Sequence, residues 1–321
     1  MGSIFLLKNN PKIVSIYYSD LFYKKLSFFK NLFFDLTDLA IGEILYFFFI
    51  CIVILNLFKN ILSMNLIITS TLIIVYFFYV SWGLNYFRLP LGGYINSELV
   101  INEKKIENLT KFFSAQCNLL KNDINSKEKN KIDYLNYYKN LIESKDEKFK
   151  YSNLNLILSY MGIKGYYNPF TNEANINSRI PKVLIPVTIY HELAHRQGFA
   201  SERDANFVGF LKTYNHNSSE IRYSANFFAF RYLYNDLYKI NPNLAENIYK
   251  SLSDGVKKDL IAVSNYWAFY ENRFQKIQKS IFDLFLKTQG QKKGINSYND
   301  VVKLLLFTFD GENKFILNEN T

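Results

Sequence analysis

Histidine and cysteine are both scarce: 321 residues hold three of the first and two of the second. Cys51 lies in an apolar run and Cys117 in a helical one, and neither belongs to a C-x-x-C pair. That rules out a disulfide framework and a cysteine zinc or redox site. Arginine is sparse too, seven of the 38 basic residues, so the net charge of +10 is mostly lysine. With no arginine-bearing recognition motif, no nucleic-acid interface is expected. A lysine-rich surface suits anionic lipid instead. Ile4–Leu7 is too short an apolar stretch for a signal peptide, and there is no internal repeat.

Aromatic residues and long uncharged runs are plentiful. Aromatics make up 18% of the chain. Ile44–Phe58 is a 15-residue run without charge, and Asn60–Phe87 is another of 28. A bilayer core of about 30 Å needs about 20 helical residues. The second run is long enough. The first suffices if Glu43 sits at the headgroups and residues from Leu39 contribute. A turn over 60–65 would join them, with Trp82, Tyr86 and Arg88 as an interfacial belt and anchor. Residues 1–40 mix large apolar groups with lysines at helical spacing, as in a helix lying in the membrane interface or packed on the following domain.

Beyond Arg88 the chain reads as mainly helical. Leu109, Phe112, Phe113, Cys117, Leu119 and Leu120 form an apolar stripe, and Asn153–Met161 is a short helix. Gly162–Ser178 alternates and carries turn residues, as a hairpin does. The expected fold is mainly α with a small β-hairpin or sheet (α+β). A transmembrane helical pair at 41–87 follows the amphipathic segment 1–40 and precedes one domain over 88–321.

Two of the three histidines stand in His191-Glu192-Leu193-Ala194-His195. On a helix, positions i and i+4 share a face. Two imidazoles there can reach one metal ion, and Glu192, one residue round, can touch a water on it. This is the H-E-x-x-H arrangement of zinc hydrolases. The uncharged approach, Val183–Tyr190, places the pair in a buried setting, where unpartnered ring nitrogens are costly.

The third ligand lies downstream. Gly198 is placed to end the helix in a left-handed conformation. It fits the metzincin frame H-E-x-x-H-x-x-G-x-x-H, but the last position of that frame is Ser201. Ser201 and Asp204 read as a capping box opening a second helix. Glu202, in its first turn, is assigned as the third ligand. Asn206, on the same face, is expected to orient His191 or His195 through the other ring nitrogen. Asp204 is the alternative ligand. His216, in a polar loop, is expected to be solvated. Ala225–Tyr234 reads as a core helix, with Arg222, Tyr223 and Arg231 as oxyanion-stabilising or salt-bridge groups.

A helix with H-E-x-x-H followed by a second helix with Glu202 and Asn206 resembles the gluzincin proteases, membrane-bound ones among them. The chain more closely resembles a bacterial membrane-protein family, domain of unknown function 3810. Trp82–Pro90, Gly165–Glu173, Pro186–Asn206 and Phe282–Gln291 with Gly294–Tyr298 carry that resemblance. Asp204 stands where the family tends to have glutamate, which favours Glu202 as ligand. The resemblance implies a membrane-bound zinc metallopeptidase with Zn2+ on His191, His195 and Glu202, and Glu192 as general base. It implies a peptide or protein substrate at the membrane, with residues 170–177 offering a strand to its backbone. It also implies a multi-pass cell-membrane protein, with the catalytic domain leaning to the extracytoplasmic side. Two other readings remain: a non-catalytic membrane scaffold with a structural metal, and a zinc amidase for lipid or cell-wall substrates.

Overall fold

The computed structural model describes residues 7–59, 63–91, 102–127, 134–144, 147–294 and 300–309. The turn expected over 60–65 lies partly outside the described residues. The protein is mostly helical with one three-stranded sheet, an α+β arrangement as the patterning predicts.

The N-terminal segment is a continuous rod: Pro11–Ile13, a π-helical Val14–Tyr23, then α1 (Lys24–Phe34). Val14, Tyr18, Ser19 and Tyr23 are its buried residues in the π-helical part. Their spacing of four to five suits the wider turn of i→i+5 hydrogen bonding. This face packs on Trp82, Leu84, Phe87 and Ala200. The other face leaves Ile16, Phe22, Phe28, Phe29 and Phe33 exposed. The rod is thus packed on the following domain, and its outer side is apolar.

Two apolar helices follow, α2 (Ile41–Lys59) and α3 (Met64–Ser81). Among the described residues α3 alone is long and apolar enough to cross a membrane, and the apolar part of α2, Ile41–Asn56, is shorter. Both expose phenylalanine, isoleucine and leucine along their length. Glu43 is not in contact with solvent. It is buried, accepting hydrogen bonds from Ser152 Oγ, from Asn153 N at 2.9 Å and from the Tyr166 hydroxyl at 2.9 Å.

The remainder runs α4 (Glu103–Lys127), α5 (Tyr134–Ile142), β1 (Lys150–Tyr151), α6 (Asn155–Met161), β2 (Gly165–Asn168), β3 (Glu173–Ile176) and α7 (Ile185–Arg196). It continues through α8 (Glu202–Tyr214), α9 (Ser219–Ile240), α10 (Pro242–Lys250), α11 (Asp254–Tyr270), α12 (Arg273–Thr288) and α13 (Val301–Thr308). On α4 the buried stripe is Ile106, Leu109, Phe113, Cys117, Leu120 and Ile124, while Leu119 is exposed, because it falls one residue off the i, i+3/i+4 series. That stripe meets α9, and Phe113, Phe210, Phe227 and Phe230 fill the shared core. Cys51 and Cys117 are both free.

The sheet has the order β1-β3-β2, with β1 parallel and β2 antiparallel to β3. Its central strand begins at Glu173, whose buried carboxylate ties four segments together. It accepts from Ile41 N at 2.9 Å and Gly42 N at 2.7 Å, the first turn of α2, and from Thr171 Oγ1 at 2.7 Å. Lys150 Nζ of β1 pairs with it at 2.6 Å and donates also to the carbonyls of Phe34 and Leu39. A carboxylate at a helix N-terminus satisfies free N–H groups and complements the helix dipole. Side chain is excluded at Gly42, where a Cβ would lie 2.0 Å from Asn168 Nδ2. Glu173→Ala leaves Lys150 buried without its counter-charge and the α2 N-terminus uncapped. We expect it to cost about 3–5 kcal/mol, read as a lowered unfolding midpoint in detergent; a midpoint equal to wild type would contradict this role.

Candidate metal centre

α7 and α8 cross at backbone contact. A Cβ on Gly209 of α8 would lie 2.8 Å from His191 N and 3.0 Å from its Cα, so only glycine allows this approach. Pro186 opens α7, where a missing N–H costs nothing. Gly198, at φ +87°, closes it in a Schellman motif: Phe199 N bonds to Ala194 O at 3.1 Å and Gly198 N to His195 O at 2.9 Å. Ser201 then caps α8, its Oγ accepting from Asp204 N at 3.1 Å, as the capping box predicts.

This turn places Glu202 back over the histidines. Its Oε2 lies 3.3 Å from His191 Nε2 and 3.7 Å from His195 Nε2. The three ligand atoms all fall within 4.8 Å of one another. Bonds of about 2.0–2.1 Å to one tetrahedral ion would hold neighbouring ligand atoms about 3.3 Å apart, so the cluster is of the size that could close on one small cation. Glu202 Oε2 is buried without a hydrogen-bond partner, an orphan that a cation would satisfy. His195 Nδ1 is 2.8 Å from Phe199 O. A proton on Nδ1 donated to that carbonyl leaves the Nε2 lone pair facing the cluster.

The electrostatics agree with a cation-seeking set. Burial by itself would lower the His195 pKa and raise that of Glu202. Their mutual attraction overrides it, pushing His195 up to about 9 and holding the Glu202 carboxyl well below the usual range. Burial pushes the Glu192 carboxyl up to about 8. Glu192 is buried against Gly165 of β2, where a Cβ would lie 3.0 Å from its Cγ and Oε1.

The cluster forms part of the lining of a cleft of about 630 Å³, within the usual size for ligand sites. β2, an edge strand of the sheet, lines one side through Gly165, Tyr166 and Tyr167. Residues 170–177 were expected to present the free edge; β3 is instead the central strand, paired on both sides, so the edge falls to β2. Phe78 and Trp82, with Tyr86, form another wall, and α12 a third through Gln278, Phe282 and Phe285.

The other expected site residues separate. Asp204 faces away: its Oδ2 accepts from Leu91 N at 3.2 Å and its Oδ1 pairs with Arg203. Asn206 lines the cleft, with Nδ2 buried and unpartnered. It does not orient His195, whose Nδ1 is taken by Phe199. His216 Nδ1 accepts from Ser218 N in its own loop. Tyr223 is on the wrong side of α9, donating to Asp259 at 2.7 Å under the Lys121 ammonium. Arg222 donates to Ser219. Tyr232, nine residues and thus half a turn round from Tyr223, is the α9 hydroxyl that lines the cleft. Burial pushes its phenol up to about 12. Lys164 lines the cleft as well, its pKa lowered by burial and by Arg231. A hydroxyl at i+4 from Phe228 in an apolar helix was the available signal for Tyr232; nothing in the sequence marks Lys164.

Trp82 and Arg88 are not a membrane belt. Trp82 is 5% exposed and donates from Nε1 to His195 O at 3.0 Å. Arg88 donates to Gly198 O at 3.1 Å and lies over the Phe199 ring. Tyr23, from the N-terminal rod, donates to Arg196 O at 2.8 Å. Together they bind carbonyls in the last turn of α7 and in the turn just past it.

No curated protein and no solved structure matches the chain. One family model does, over residues 18–306, a span that takes in most of the rod, both apolar helices, the sheet and the histidine cluster. The chain belongs to that family, described as protein of unknown function DUF3810.

Proposed function

We propose that the protein is a membrane-bound, zinc-dependent peptide hydrolase of gluzincin-like design. The observation that carries this reading is the convergence of His191 Nε2, His195 Nε2 and Glu202 Oε2 in the cleft lining, with Glu192 beside them. Zinc held by those three ligands would supply Lewis acidity to a water and to a substrate carbonyl. Glu192 takes the water's proton as the water attacks the scissile carbonyl, and passes it to the leaving amine. Tyr232 and Lys164 are the donors available to the developing oxyanion. Asn206 offers an unpartnered amide to the substrate. The open edge of β2 suits a peptide backbone, which pairs with it as an added strand, and this favours a peptide over a lipid or cell-wall amide.

Two observations favour a catalytic over a structural metal. Asp204 and His216 are engaged elsewhere, so among the described residues the cluster has three ligands and leaves a position open. Glu192, which a closed structural site does not need, is held in place by Gly165. In this reading α2 and α3 both enter the bilayer, and the domain after Arg88 lies with the N-terminal rod on one side of it, the extracytoplasmic one.

Metal content of the detergent-purified protein tests the ligand set. We expect about one zinc per chain in wild type, retained in Asp204→Ala and lost in Glu202→Ala. Retention in Glu202→Ala would remove Glu202 from the site. Glu192→Gln tests the chemistry: zinc stays bound, while cleavage of a peptide that wild type hydrolyses falls by about 10²–10⁴-fold. Cleavage at the wild-type rate would rule out Glu192 as the base.

A further inference from the structure

α12 presents an apolar side that none of the other described residues covers. Phe274, Ile277, Ile281 and Leu284 are 55%, 57%, 65% and 64% exposed. Their spacing of i, i+3, i+7 and i+10 makes one stripe along the helix. The opposite side holds Gln275 and Leu286 in the protein, and between the two Phe282 and Phe285 line the cleft. Arg273, Lys276 and Lys287 are exposed along the other margin of the stripe. An exposed apolar stripe bordered by basic residues is the pattern of a helix lying in a membrane interface.

The surroundings fix the height of this stripe. Phe285 packs against Phe78 in the last turn of α3, with ring centroids 6.2 Å apart, and Gln289 just beyond α12 accepts from the Tyr79 hydroxyl. On its other flank α12 meets α6: Asn272 donates to Tyr160 O and Gln275 to Ser159 O. α6 leaves Leu156, Ile157 and Tyr160 exposed. The residues just before α6, Ser152 and Asn153, bind Glu43 in the first turn of α2. So α6 sits by the start of α2 and α12 by the end of α3, the two points where the apolar pair joins the domain. The exposed apolar residues of α12 and α6 thus adjoin the two ends of the apolar pair.

We propose that α12, with α6 beside it, is a membrane-docking surface whose stripe sinks to the headgroup–acyl boundary of an anionic bilayer. The proposal rests on the reading of α2 and α3 as bilayer helices. Because α12 is also a wall of the cleft, docking sets the cleft at headgroup height. The substrate class that follows is a polypeptide anchored in the membrane, with its scissile bond close to the surface.

Site-directed nitroxides on the full chain in phosphatidylcholine–phosphatidylglycerol nanodiscs test this without any catalytic readout. In a Cys51→Ser background the fully buried Cys117 stays unlabelled, and labels are placed by Ile277→Cys, Ile281→Cys, Lys276→Cys and, on α3, Ile68→Cys. Collision with oxygen and with a water-soluble nickel chelate is then measured by power saturation. We expect nickel accessibility at Ile277 and Ile281 to be several-fold lower than at Lys276, with oxygen accessibility high, as at Ile68. Nickel accessibility at Ile281 equal to that at Lys276 would overturn the proposal. So would a label closed to both reagents, which means that protein rather than lipid covers the stripe. If Ile68 itself is open to nickel, the bilayer reading of α3 fails first, and that outcome is distinct from failure of α12 alone.

Discussion

The Glu202 carboxylate reaches two imidazoles because α7 and α8 touch backbone to backbone at Gly209. The whole candidate centre depends on that contact. A wider crossing would leave the histidine pair on α7 with two ligands and no third, and Glu202 as an uncompensated buried carboxylate. The Schellman turn at Gly198 and the Ser201 cap set the angle at which the second helix returns. The result is a compact charge arrangement, one carboxylate between two imidazoles, whose orphaned oxygen a divalent cation would satisfy.

The second constraint is the coupling of this centre to the apolar helices. Trp82 and Arg88, just beyond α3, bind the carbonyls of His195 and Gly198, and Tyr23 binds that of Arg196. On the far side, Glu173 and Lys150 bolt the first turn of α2 to the sheet whose edge strand backs Glu192. The two apolar helices are thus fastened to both walls of the cleft. Buried hydrogen bonds and a buried ion pair make these joints specific, since each broken partner leaves a desolvated polar group behind.

Much of this was legible in the sequence, and the misses have identifiable causes. Spacing alone points to His191, Glu192 and His195, and a cap followed by helical periodicity points to Glu202, because those rules are local; the structure brings the three candidate ligands together. The mainly helical fold with one hairpin was readable for the same reason. Trp82 and Arg88 were misread as a membrane belt because an aromatic–basic cluster after an apolar run has two uses, and only tertiary contact tells them apart. The free sheet edge was placed on residues 170–177 rather than Gly165–Asn168, since β1 lies far enough upstream that its pairing with β3 leaves no local trace. Tyr223 and Tyr232 sit on one helix, and which of them faces the cleft depends on where α4 packs.

X-ray absorption at the zinc K edge of the metal-loaded protein tests the central claim most directly. The account predicts a shell of two imidazole nitrogens, one carboxylate oxygen and one further light atom from solvent at about 2.0–2.2 Å, with no sulfur. A sulfur ligand, or a shell without imidazole, would contradict it.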